Sequence, residues 1–476
     1  MPIRPRPLAV VSLLAVVALA AGCGRDGAQR RPHIVLITVD TLRRDYVSFY
    51  GDPPLPTPAF DRIGVEGGAA DLAVAPYGRT TQSIGSIMTG LHPLRHGAEG
   101  LGMKLPAEAT TLAEELRAAG WRTVAFLSNR NLRAGLGFDQ GFDHYGTDPS
   151  RYSGNSADEL TDEVVAWIEA QESFETPLFL WVHYLDPHWG YFPPEDLARL
   201  ADPDWTGPVY LRDWPKLEGL VKSDILFTGG KHLTDREVEH TRRLYSAEIA
   251  ATDRAVGRLL AALDSAGVFE RALVCLTSDH GEGTGEHDYW FGHGEYIYEG
   301  VLRVPLLFRW PGTIPAGNRV GGVVRLEDVA PTILELAGLP PRAGLDGRSI
   351  APLLRAGGSQ EAPPVTAIHL SDFRLVRERN PRQTVTGRAG QWWAIRRDGF
   401  KLIRVPIRDG EYEEELYDLA ADPGELVNLV QIRTDVAARL RDELAERQRA
   451  RVLPETEIEG PSVEDLEALR ALGYID

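Results

Sequence analysis

The apolar run ALVCL (residues 272–276) leads into TSDHGEG, so that two side chains able to bind metal, Asp279 and His280, stand just beyond it. A short aliphatic and β-branched run without polar alternation reads as a strand buried on both faces of a mainly parallel sheet. In open α/β folds the carboxyl ends of such strands form the ligand crevice. The pattern recurs twice. HIVLITVDTLRRD (33–45) ends its apolar part at Asp40, and PLFLWVHYLDPH (177–188) carries His183, Asp186 and His188. One Asp after a strand is ordinarily a helix cap or turn former. Three ends that gather Asp40, Asp186, His188, Asp279 and His280 point instead to a divalent cation, since carboxylate and imidazole together suit such ions.

A length of 476 residues, with 43% hydrophobic content and ten Trp, is enough for a large α/β domain and a smaller companion. The formal charge of −18 excludes a phosphate-tracking surface, so no nucleic-acid partner is expected. An anionic substrate remains compatible with it where a metal inverts the local potential. At the start, Arg4 and Arg6 precede an apolar stretch from Leu8 to Ala21 that ends at AAGC with Cys23. That length suits a signal-peptide core better than a bilayer span. The small residues before Cys23 resemble a bacterial lipobox, which implies a signal peptide over 1–23, an acylated Cys23 and a polar tether over 24–32. The expectation is an exported, membrane-anchored lipoprotein facing the periplasm or cell surface of a bacterium. Cys275 is the only other cysteine and lies in an apolar strand, which leaves no thiolate metal site and makes it a core residue.

In TTLAEELRAAGWRTVAFLSN (110–129), Thr111 and Glu114 form a capping-box pattern, Gly120 is a stop and TVAFL is the next strand. This alternation of helix and strand is the α/β signature. Residues 189–240, rich in Pro, read as an irregular insertion near the strand ends, shaping access. Leu244, Ile249, Val256, Leu259, Leu260 and Leu263 recur at helical spacing between Arg242 and Ala266, with Glu248 and Asp253 expected on the solvated side. Beyond residue 355 the pattern changes. WWAIRRDGFKLIRV and EEELYDLAADPGE read as antiparallel strands, followed by a helix from about Thr434 to Arg449. The expected organisation is a catalytic domain over 33–355 and a C-terminal subdomain with a terminal helix over 356–476.

APYGRTTQSIGSIMTGLHPLRHG (75–97) brings hydroxyl side chains to a helix start. Beside a cation, a hydroxyl at a helix N-terminus is a sensible nucleophile. Lewis-acid activation, worth several kcal/mol, outweighs the roughly 0.3–1 kcal/mol available from the helix terminus.

ITVDTLRRDYVSFYG, SIMTGLHPLRHG, LDPH, TSDHGEG, FGHGEYIYEGVLRVPLLFRWPG and ELYDLAADPGE together resemble the sulfatase family of the alkaline phosphatase superfamily. The resemblance implies an α/β fold, with a large mixed central sheet flanked by helices and a small C-terminal antiparallel-sheet subdomain. It assigns Asp40, Asp279, His280 and Thr80 to one divalent ion, Zn or Mn before Ca because of the imidazole, with a second ion admissible. Thr80 lies ten residues before Gly90, at the position where sulfatases carry the Cys or Ser that becomes formylglycine. Gln82 and Ile84 stand where that signature has Pro and Arg, and Ser128 and Asn129 replace the usual Lys and His after the TVAFL strand. The family analogy puts His188 and His293 at the substrate anion or leaving group, as general acids. His183, Asp186 and His287 are left for a second metal or for substrate, and His92, His96 and His144 for structural duty.

Threonine cannot become formylglycine, so an ester formed on it must be cleaved by attack at sulfur or phosphorus. The expected activity is therefore a metal-dependent, sulfatase-like hydrolysis of sulfuric or phosphoric esters, with phosphorus favoured. The substrate would be an anionic glycan, a lipid headgroup or a small molecule. The alternatives are a phosphoglycerol- or phosphoethanolamine-type transferase and a catalytically silent anion-binding protein.

Overall fold

The computed structural model describes residues 31–98, 103–148, 156–213, 233–372, 391–408 and 411–449. The expected signal peptide, Cys23 and the expected tether up to residue 30 lie outside them. No helix among the described residues is long and apolar enough to cross a membrane.

A ten-stranded sheet runs in the order Ser359–Glu361, Asn318–Arg325, Gly68–Val74, Leu306–Arg309, Ala272–Ser278, His33–Val39, Leu178–Tyr184, Arg122–Leu127 and His144–Thr147, with Arg303–Val304 paired to Gly68–Val74. His33–Val39 is parallel to both its neighbours, and Leu306–Arg309 runs antiparallel to Ala272–Ser278 and Gly68–Val74. The sheet is mixed, as expected. Successive side chains of a strand face opposite sides. Ile34 and Leu36 accordingly enter a core with Ile84, Trp181 and Cys275, while Val35 and Ile37 enter another with Leu180, Leu276, Leu244 and Val256. All seven residues of HIVLITV are buried, which is why the run shows no polar alternation. Cys275 is buried too, and burial pushes its thiol well above the usual range.

Helix ends follow the sequence signals. Thr111 and Glu114 form a reciprocal capping box at the start of Leu112–Ala118, and Gly120 follows with φ +95°. The long helix starts earlier than its apolar periodicity suggests, at Asp235, because Thr234 and Glu237 form a second capping box. It runs to Ser265. Its acids Glu248 and Asp253 are not on a solvated face: both are buried. Asp253 accepts the Phe60 and Ala59 backbone N–H groups at 2.8 and 3.2 Å, capping the helix Pro58–Val65 from a distance in sequence. Burial pushes its carboxyl up to about 7. Burial, and then the neighbouring Asp186, push the Glu248 carboxyl well above the usual range.

Within 189–240 the chain is not irregular throughout, since Glu195–Ala201 is helical and packs on the long helix. Past residue 355 the large sheet continues, because Ser359–Glu361 pairs with Arg319–Gly321. The small sheet follows as Ala367–Asp372, Gln391–Arg397, Phe400–Arg408 and Glu411–Asp418, all antiparallel, with the helix Thr434–Arg449 after it. It docks on the segment leading to Thr80: the Leu370 N–H donates to the Pro76 carbonyl at 2.9 Å and His369 Nδ1 lies 2.7 Å from the Ala75 carbonyl.

Candidate metal centre and active site

The parallel register sets Thr38 beside His183 and Thr277, and Val39 beside Tyr184 and Ser278. The next residues, Asp40 and Asp279, therefore leave the same sheet edge side by side, while His183 points in from the third strand. Ligand atoms of Asp40, His183 and Asp279 all lie within 4.8 Å of one another. His280 joins them, with Nε2 3.5 Å from Asp279 Oδ2 and 3.7 Å from Asp40 Oδ1. All four side chains are fully buried.

Each of the four is bonded on one side and bare on the other. Asp279 Oδ1 accepts the His280 and Thr41 N–H groups at 2.8 and 3.2 Å. His280 Nδ1 lies 2.9 Å from the Gly281 carbonyl, which can only accept, so Nδ1 carries a proton and Nε2 is the atom turned toward the carboxylates. His183 Nδ1 lies 2.8 Å from Thr38 Oγ1, a hydroxyl that also receives the Trp181 indole N–H. Asp40 Oδ2 accepts Asn129 Nδ2 at 2.5 Å and the Thr80 hydroxyl at 3.3 Å. The remaining atoms, Asp40 Oδ1, Asp279 Oδ2, His183 Nε2 and His280 Nε2, have no hydrogen-bond partner among the described residues.

Buried polar atoms are seldom left so, and here all are ligand atoms aimed at one another. Burial opposes ionisation of Asp40, but His183, His188 and His280 together hold its carboxyl down to about 2. Burial and then the Asp40 carboxylate push Asp279 up. Two abutting carboxylates with opposed shifts are a site balanced for an added cation. Two carboxylate oxygens and two imidazole nitrogens, oriented by bonds on their far sides, fit a divalent ion.

Thr80 is the first residue of the helix Thr80–Thr89, where helix geometry turns its hydroxyl onto Asp40. Asn129 spans both groups, with Nδ2 3.5 Å from Thr80 Oγ1. Its amide is oriented by the Asn131 N–H, which donates to Oδ1 at 2.8 Å. His293 lies against His280, ring centroids 4.5 Å apart, and against His188 at 5.0 Å. Glu282 Oε1 is 3.0 Å from His293 Nδ1, while Tyr191 donates to Glu282 Oε2 at 3.1 Å.

The structure thus brings together Asp40, Thr80, Asp279, His280, His188 and His293. It moves His183 from the reserve into the main cluster. Asp186 faces elsewhere: its Oδ2 accepts the Ser156 N–H at 2.9 Å, at the start of the helix Ala157–Glu169. His287 is also apart, stacked on Tyr298 at 3.6 Å and lining a cavity of about 280 Å³ with Arg43, Arg44 and Glu425. His92 and His96 bond the Ile368 and Gln82 carbonyls, and His144 is exposed at a strand start. Sequence reasoning missed Glu282, two residues past His280, and read Asn129 only as a lost Lys or His.

The sulfatase family profile matches residues 32–339, and that of the N-sulphoglucosamine sulphohydrolase C-terminal region matches 285–450. The chain belongs to the sulfatase family. This family is metal-dependent and its members are ester hydrolases of the alkaline phosphatase superfamily. Among similar proteins, an N-acetylglucosamine-6-O-sulfatase of Bacteroides thetaiotaomicron is 24% identical, over 90% of this sulfatase-family chain and 88% of its own. A phosphonate monoester hydrolase of Agrobacterium radiobacter superposes with a TM-score of 0.70 at 23% identity, covering 89% of this chain and 96% of its own. A structure solved with its substrate D-glucosamine-2-N,6-O-disulfate gives a TM-score of 0.70 at 22% identity, covering 88% and 98%. These superpositions establish a shared fold.

Proposed function

We propose that this sulfatase-family hydrolase uses Thr80, unmodified, as nucleophile on an anionic ester, and that phosphoric or phosphonic esters are turned over in preference to sulfate esters. The observation that carries the reading is the Thr80 hydroxyl, buried at a helix start and hydrogen-bonded to Asp40 in the ligand cluster. That convergence also disfavours a catalytically silent protein.

Asp40, Asp279, His183 and His280 would hold the ion. A divalent ion there supplies Lewis-acid stabilisation of the transferring oxyanion and favours the alkoxide of the nucleophile. The chain's own groups do the rest. Asn129 Nδ2 orients Thr80 Oγ1 and Asp40 Oδ2 together. The Thr80 hydroxyl gives up its proton to solvent, and Oγ1 bonds to phosphorus as the bond to the leaving oxygen breaks. His293, held through Nδ1 by Glu282, gives its Nε2 proton to that oxygen, with His188 beside it. Water then attacks phosphorus as the bond to Oγ1 breaks, one proton of that water passing to His293 while Oγ1 takes its proton back from solvent.

Threonine carries a methyl where a formylglycine hydrate carries a second hydroxyl, so the ester on it cannot be expelled by elimination. That favours phosphorus; a phosphonate monoester hydrolase shares the fold, as does a protein solved with a sulfated substrate. Sulfate is the second reading, supported by the N-acetylglucosamine-6-O-sulfatase relative. Acylated Cys23 would hold the exported enzyme at a bacterial membrane, facing anionic glycans or lipid headgroups. The deciding experiment compares nitrophenyl phosphate, phosphodiester, phosphonate and sulfate with wild type, Thr80→Ala and Thr80→Ser, with peptide mass mapping of position 80. The expected result is plain threonine, higher kcat/KM on phosphorus, no turnover by Thr80→Ala and partial turnover by Thr80→Ser. Full activity of Thr80→Ala would remove the nucleophile assignment, and faster sulfate turnover would remove the preference for phosphorus alone.

A further inference from the structure

Gly78-Arg79-Thr80 and His293-Gly294-Glu295 cross glycine against glycine. A Cβ on Gly78 would stand 3.2 Å from the Gly294 nitrogen and 2.7 Å from Val301 Cγ1. Gly294 has φ +98°, and a Cβ on it would stand 2.5 Å from Arg79 Cζ. Both positions therefore require glycine, one for closeness and one for closeness and conformation. Over the crossing, Arg79 Nη2 donates to Glu295 Oε1 at 2.8 Å, both side chains being buried. The Tyr289 hydroxyl donates to Glu295 Oε2. Arg79 is extended, with φ −146° and ψ 148°, and is the residue from which the Thr80 helix starts. The two tripeptides thus share one clamp, with the proposed nucleophile at the end of the first and the proposed acid at the start of the second.

We infer that the Arg79–Glu295 pair, seated over Gly294, is a positioning unit that sets the Thr80 hydroxyl against the His293 imidazole across the reacting group. The inference rests on the roles proposed above for Thr80 and His293. Stability is a poor reason for the arrangement, because a buried ion pair gains little over well-packed apolar residues of the same volume. Geometry is a better one. Groups that act on opposite sides of a reacting centre need placing within about 0.5 Å by supports that are themselves locked. Here the Arg79 guanidinium, the Glu295 carboxylate and the Tyr289 hydroxyl are joined by hydrogen bonds, with Arg79 one residue before Thr80 and Glu295 two residues after His293.

The test is leaving-group dependence in the metal-loaded full chain. Glu295→Gln keeps shape while removing the charge that grips Arg79, and Arg79→Lys keeps charge while removing the fork. An alkyl leaving group needs the His293 proton and nitrophenolate scarcely does. Loosening the clamp should therefore lower kcat for a methyl or ethyl ester about tenfold more than for the nitrophenyl ester, with KM within about twofold. Metal content and melting temperature report folding alongside. A lesion that is merely structural would lower both esters in proportion. An unchanged ratio of alkyl to nitrophenyl turnover in the folded variant or variants overturns the inference, and if Glu295→Gln fails to fold, Arg79→Lys decides. Thr80→Ala separates the two levels: if it is active, the nucleophile reading fails, whereas if it is dead and the ratio is unchanged, only the clamp fails.

Discussion

Stripping the metal should soften the whole fold by an amount that can be worked from the site. Four buried ligand atoms, Asp40 Oδ1, Asp279 Oδ2, His183 Nε2 and His280 Nε2, have no hydrogen-bond partner among the described residues. Leaving a buried polar atom unsatisfied costs about 1–3 kcal/mol, so the set amounts to roughly 4–12 kcal/mol. Water entering the emptied site satisfies some of them, which puts the expectation near the lower bound. The unfolding entropy of a chain of this length makes each kcal/mol worth about 1 °C of melting temperature. Dialysis against a chelator, checked by elemental analysis, should thus lower the Tm by about 4–6 °C, and readdition of Zn or Mn should restore it. The Asp279→Ala, His280→Ala double variant should start from the lower Tm, hold no stoichiometric metal and ignore the chelator. A double variant that retains one equivalent of metal, or a wild type that loses its metal with no change in Tm, would refute the assignment of these atoms.

Three further outcomes can be checked separately. Asn129→Ala removes a hydrogen bond to an ionised Asp40, worth about 1.5–3 kcal/mol, so kcat should fall about 10- to 100-fold with metal content unchanged; unaltered kcat would leave Asn129 a bystander. Asp253, at 3.8 unfolded and about 7 folded, binds its proton more tightly in the fold, so stability should fall as pH rises from about 4 to 7 and then level off, by at most about 4 kcal/mol. Asp253→Asn should flatten that decline in denaturant titrations at a series of pH values, and an equally steep decline in the variant would rule this acid out as its source. Cys23→Ser should shift the expressed protein from the detergent phase to the aqueous phase, whereas continued membrane partitioning would argue against the acyl anchor.

Strands and caps were legible because their causes are local. A run such as HIVLITV has no polar face to offer, and Thr111 with Glu114 satisfies its own helix start. The acids of the long helix were not. Glu248 and Asp253 sit at spacings that look solvated, but what lies across them decides their surroundings: the helix start at Ala59 and Phe60 for Asp253, and the Phe192 backbone N–H for Glu248. An acid that caps a helix two hundred residues earlier in the chain leaves no trace in the periodicity of its own helix.

The metal cluster divides the same way. Asp40, Asp279 and His280 were readable because each follows directly on its strand, and position along a parallel strand is nearly position in the crevice. His183 was harder, since it lies inside an apolar run where a histidine ordinarily bonds a neighbour and stays inert. It does bond a neighbour, Thr38. The pairing of Thr38 with His183 in register is what turns the other ring nitrogen toward Asp40, and register is a relation between strands, not a property of either. Asn129 is the reverse case, visible as a departure from the family pattern but legible as a contribution only once its amide is seen to join Asp40 and Thr80. A lysine in that place would bring a full positive charge to the nucleophile. The amide brings a neutral donor and leaves the charge balance of the site to the ligand cluster. A divalent ion among two carboxylates is nearly neutral, so the dianion of a phosphate monoester would gain less at this centre than at one with an added lysine. The substrate panel should then rank singly charged phosphodiesters and phosphonate monoesters above phosphate monoesters. The opposite ranking would mean that another cation reaches the transferring group, with His188 and His293 the first to test by substitution.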